Sequence, residues 1–150
     1  MGIEIAESLI TQNHHCPEQR LWRHVLLNAV EDTRITQSDR KSSICKMEAH
    51  DWITKENKDF TWICWQSGWD PEVVKEQYFK AVRKGNIVFT KRQIKWVEYY
   101  KLYLDLKNEK DVEKRQKLRK QVDSLRKKVL NTTTAVVKMF IVEENLVPCG

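Results

Sequence analysis

Asp59-Phe60-Thr61-Trp62-Ile63-Cys64-Trp65-Gln66-Ser67-Gly68-Trp69-Asp70-Pro71-Glu72-Val73-Val74-Lys75-Glu76-Gln77-Tyr78-Phe79 is the stretch on which the fold turns. A short apolar segment is closed by Gly68, which suits the left-handed conformation of a turn. Asp70 then offers an N-cap, Pro71 has the fixed φ of a first helical position, and Glu72 complements the positive end of the helix dipole. The stretch therefore predicts helix, glycine turn, capped helix. Lys84-Gly85-Asn86 ends the second helix in the same way.

Downstream, Ile87-Val88-Phe89 is a short β-prone piece, and Thr90 can cap a helix over 91–107 that carries Ile94, Val97, Tyr100 and Leu104 on one face. The apolar rhythm breaks at 108–111 and resumes as Leu118, Val122, Leu125 and Val129, spaced by four, three and four. That seam fits either a basic helical hairpin, with 111–130 folded back on 91–107, or a coiled coil between copies. From Thr132 to Val142 the chain is β-branched and apolar enough for a strand, which needs a partner in 87–89 or in another subunit.

Upstream, Leu21, Val25, Leu26, Ala29 and Val30 recur at helical spacing behind Pro17, predicting a helix near 17–34. Ser38 or Asp39 can cap a second helix ending near Glu56. The expected fold class is mainly α: a small helical bundle with a helix-turn-helix, a basic C-terminal helix or hairpin, and a short C-terminal strand. Its parts are an N-terminal arm (1–16), a helical domain (17–90), the basic hairpin or coiled coil (91–130), and a strand with a tail (131–150).

Composition narrows the function. The chain has 150 residues, 41% hydrophobic, with six Trp and only four Gly and three Pro, so it can form a core and is not a low-complexity chain. No segment approaches the roughly 20 apolar residues that span a bilayer, and the acidic start lacks the basic, apolar pattern of a signal peptide. A cytoplasmic protein without membrane contact is expected. Cys16, Cys45, Cys64 and Cys149 are scattered without a Cys-x-x-Cys pair, which reads as free thiols rather than a disulfide framework. The net charge of +6 is unevenly distributed. Residues 1–79 carry nine basic and 13 acidic side chains, whereas residues 80–130 carry 17 and six, a net +11. A block of that density attracts polyanions by counterion release, so nucleic acid is the first partner to expect and an acidic protein the second.

Residues 59–84 resemble a helix-turn-helix of the bacterial and phage DNA-binding type, with Cys64 as the small residue of the first helix, Gly68 as the turn glycine, and Ile63, Trp69 and Val74 as the apolar contacts. The wider pattern from Glu48 to Pro71 is similar to one found in small bacterial and prophage proteins. The resemblance implies a DNA-binding regulator. Under it, Lys75, Lys80, Arg83 and Lys84 would meet phosphates and Gln77 a base edge. The first turn of that helix has no Arg, Asn or Ser, which leaves direct base readout weakly supported. A second phosphate surface is expected where Lys91, Arg92, Gln93 and Lys95 meet a helix N-terminus.

The same aromatics can instead be the core of a packed helical hairpin, or Trp65 and Trp69 can anchor a partner such as RNA polymerase. Leu118, Val122, Leu125 and Val129 would then join copies into an oligomer. A ring-forming DNA-packaging subunit similar to a small terminase is a third reading. The four histidines lack paired ligand spacing, and there is no phosphate loop, His-Glu-x-x-His or Gly-x-Ser-x-Gly pattern. Neither a metal, a cofactor nor an enzymatic activity is expected.

Overall fold

The computed structural model describes residues 16–137, 139–142 and 145–148, so the expected arm, apart from Cys16, and Cys149 lie outside the described residues. The chain is a mainly helical bundle. Its elements are α1 (Pro17–Asp32), α2 (Arg40–Thr54), α3 (Lys58–Gln66), α4 (Pro71–Arg83), β1 (Phe89–Thr90), α5 (Lys91–Asn108), α6 (Val112–Leu130), β2 (Val136–Val137), β3 (Met139–Val142) and β4 (Asn145–Pro148).

Side chains set the helix starts. Asp39 Oδ2 accepts from the Ser42 N–H at 3.1 Å, and Asp70 Oδ1 from the Glu72 N–H at 2.9 Å. Asn57 caps α3, accepting from the N–H groups of Asp59 and Phe60. Thr90 and Gln93 form a reciprocal capping box at α5. Gly68 and Gly85 end α3 and α4 with φ of 80° and 81°. In both, the residue after the glycine donates five residues back, Trp69 to Cys64 and Asn86 to Ala81, which satisfies carbonyls the helix leaves open. A Cβ at Gly68 would also collide with the Gln19 side chain.

α1 packs on α2 and α3, α2 on α5, and α5 on α6. The main core is filled by Leu26, Val30, Ile53, Phe60, Cys64, Tyr78 and Phe89, among others. A smaller core of Tyr99, Val122 and Val129, flanked by Trp96, Leu102, Leu106 and Leu125, joins α5 to α6. The hairpin alternative for residues 91–130 is therefore the one the chain adopts, and the seam is consumed inside one molecule. β1 pairs antiparallel with β2, Phe89 opposite Val137 and Thr90 opposite Val136, while β3 pairs with β4. The strand expected after Thr132 thus finds its partner next to 87–89.

Buried polar groups tie these layers together. Lys46 is 3% exposed, and its ammonium donates to the Ile35 carbonyl at 2.7 Å, to the Val88 carbonyl, and to Gln93 Oε1 at 3.1 Å. Burial lowers its pKa to about 8. Gln93 Oε1 also accepts from the Thr90 N–H, and its Nε2 donates to the carbonyls of Ile35 and Gln37, so one buried amide joins α2, the α1–α2 loop and α5. Nearby, His50 Nδ1 lies 2.6 Å from the Tyr78 hydroxyl, and burial lowers the imidazole pKa to about 4. His50 Nε2 has no hydrogen-bond partner among the described residues.

Candidate nucleic-acid interface

The residues expected to contact DNA divide into three groups. Gln77, Lys80, Arg83 and Lys84 are exposed on α4, as a DNA-facing surface requires. Lys75 is half-buried, with its ammonium 5.8 Å from the centre of the Phe60 ring, so it faces back toward α3. The exposed start of α4 is acidic, carrying Glu72 and Glu76 beside Val73, and Lys80 pairs with Glu76 at 3.8 Å. A carboxylate pair there opposes the approach of phosphates.

The second expected surface is largely used by the fold itself. Gln93 is 0% exposed and is the polar hub described above, so it does not reach solvent. The Arg92 guanidinium is turned to the end of α6, where Nε donates to the Thr132 carbonyl at 3.0 Å and a terminal nitrogen to the Leu130 carbonyl at 3.4 Å. Arg92 is thus a C-terminal clamp on α6. The Lys91 N–H donates to the Ala135 carbonyl at 2.9 Å while its side chain stays exposed, and Lys95 pairs with Glu98 at 2.9 Å. The capping box explains why this N-terminus looked like a phosphate site: the same Thr and Gln that start the helix also close its free N–H groups.

Of the residues expected to bind partners, Val122 and Val129 are buried and Leu118 and Leu125 half-buried on α6. Trp69 is half-buried with the Arg23 guanidinium 4.3 Å above its ring, and Arg23 Nε also donates to the Ser67 carbonyl at 2.7 Å. Trp65, in contrast, is 59% exposed and Trp62 50%, with Trp22 set edge-on to Trp62 at 4.9 Å. They line an open groove of about 470 Å³ that Glu56, Asn57, Lys58 and Thr61 complete. The thiol of Cys64 is sealed in the core and its pKa is pushed up to about 12 by burial, which makes it a packing residue.

The surface that residue-by-residue reading underrated is α6. It carries eight Lys and Arg against Glu113 and Asp123, and all ten side chains are exposed. Two of the acids beside this run are occupied elsewhere. Asp111 caps α6 through the N–H groups of Glu113 and Lys114, and Glu109 accepts from those of Lys110 and Asp111. Among the described residues, no ion pair engages the cations of α6. The signal was present in the charge count, but cap positions had to be told apart from pairing positions. No helix is long and apolar enough to cross a membrane. No protein-family model, curated protein or solved structure matches the chain.

Proposed function

We propose that this chain is a small DNA-binding protein, acting as a regulatory factor on duplex DNA, and that it makes its main contact through the α5–α6 hairpin. The observation that carries the reading is α6: a helix with one face on α5 and eight exposed cations that no carboxylate engages among the described residues. Cations on a helix that make no ion pair among the described residues release counterions from a polyanion without first breaking such pairs. The exposed cations of α4, Lys80, Arg83 and Lys84, and Lys91 at the start of α5 are secondary contacts. Binding to labelled duplex DNA, followed by anisotropy across a salt titration, tests the reading. Saturable binding with a steep inverse dependence on salt is expected, and absence of binding at low salt would overturn it.

A second reading rests on Trp62 and Trp65, whose exposure on α3 is that of an aromatic anchor for a protein partner such as RNA polymerase. The order of packing, α3 on α1, then α2, α5 and α6, separates this face from the basic helix by the body of the bundle. The two readings are therefore compatible, and Trp62→Ala with Trp65→Ala would abolish partner capture while leaving DNA binding in place.

A further inference from the structure

We infer that α6, and not α4, is the helix that enters the major groove of duplex DNA, an inference that rests on the DNA-binding reading above. The argument starts from the turn of the helix. With 3.6 residues per turn, the seam of Leu118, Val122, Leu125 and Val129 places Lys120 and Lys127 on the crest directly opposite α5, with Gln116, Ser124 and the carboxylates of Glu113 and Asp123 beside them. Arg119 and Arg126 lie down one side of that crest, and Lys117 and Lys128 down the other. All ten side chains are exposed.

A helix lying on a single phosphate strand needs cations along one line. A helix in a groove needs them on both flanks, because phosphates line both walls, and needs groups on its crest that can reach base edges. α6 has the second arrangement. Its length of about 28 Å, from 1.5 Å per residue, and the backing of α5 on the far side fit a groove about 12 Å wide that admits one helix. Lys120 and Gln116 are side chains able to meet guanine and adenine edges, and Ser124 is small enough for close approach. α4 offers the reverse, with Glu72 and Glu76 at the end that would have to enter first.

The test uses the full chain and two changes to the duplex. Methylation of guanine N7 blocks the floor of the major groove, and netropsin fills the minor groove. Major-groove entry predicts at least a tenfold loss of affinity on the methylated duplex and no change with netropsin. Loss of binding with netropsin, or none on methylation, would overturn the assignment while leaving DNA binding intact. The surface variant Lys120→Ala with Lys127→Ala, its fold checked by circular dichroism, should bind at least tenfold more weakly and lose its sensitivity to methylation. Unchanged binding by that variant would also overturn the assignment. Failure of the unaltered protein to bind any duplex at low salt would instead remove the DNA reading itself, and this inference with it.

Discussion

Phe60, Cys64 and Tyr78 sink the α3–α4 hairpin into the main core, whereas α6 packs on α5 through a smaller core of Val122, Leu125 and Val129. The two hairpins start alike, with an Asn or Asp cap on the helices α3, α4 and α6, yet they spend their surfaces differently. In α3–α4 the buried faces come from both helices and the exposed remainder mixes Glu72 and Glu76 with Lys80 and Arg83. In α6 most of the helix circumference is free, and on that surface eight Lys and Arg outnumber Glu113 and Asp123. A helix that contributes little to the core can specialise its outer face, and one that is central to the core cannot do so as freely.

The sharpest way to break this comparison is to cut each hairpin at its packing. Phe60→Ala should cost about 3–5 kcal/mol by urea unfolding, because a sealed aromatic leaves a cavity at the centre of the main core. Val122→Ala should cost about 1–2 kcal/mol and should appear in hydrogen exchange as opening of α6 ahead of the rest. Equal loss of protection in α1–α4 would show that the hairpins are not separable.

Acid should weaken the main core next. Burial holds His50 neutral, with a pKa of about 4 in the folded chain against 6.5 for an unperturbed imidazole. As the pH falls from 6.5 toward 4 the unfolded chain takes a proton that the folded chain refuses, so stability falls through that window, by up to about 3 kcal/mol. Urea midpoints at pH 7 and pH 4.5 should converge in His50→Gln relative to the unaltered protein. An identical pH slope in the two would contradict the assignment.

Arg92→Ala separates clamp from contact. If Arg92 serves the end of α6, its removal should cost about 1 kcal/mol and raise exchange in the last turn of α6, with the salt dependence of DNA binding unchanged. A lower salt slope at unchanged stability would return Arg92 to the phosphate surface.

The described helices follow from signals that are local in the chain: Pro17 and Pro71 at helix starts, Gly68 and Gly85 at helix ends, and apolar spacing between them; the partner of the strand after Thr132, left open between 87–89 and another subunit, is settled by the β1–β2 pairing. The contacts are harder to read because they depend on which of two roles a polar side chain takes. Thr90-Lys91-Arg92-Gln93 has the composition of a phosphate site, but Gln93 is drawn inward by Lys46 and by two loop carbonyls 56 and 58 residues away, a partnership no local pattern encodes. Likewise Asp111 and Glu109 look like ion-pair partners for the basic run until their use as backbone acceptors is seen. Trp62, Trp65 and Trp69 share one sequence neighbourhood, and only the path of α1 decides that Trp69 is covered by Arg23 while Trp65 is not.

The central claim is that α6 carries the DNA contact, and the most direct test compares salt slopes. One variant replaces Lys117, Arg119, Arg126 and Lys128 by Ala, and the other replaces Lys80, Arg83 and Lys84 on α4 by Ala. Exposed substitutions of this kind should shift stability by less than about 0.5 kcal/mol, so binding is read on folded protein. Four lost phosphate contacts predict a slope of log affinity against log salt shallower by about 3.6 for the α6 variant, with a much smaller change for the α4 variant. A slope unchanged by the α6 substitutions and lowered by those on α4 would contradict the account.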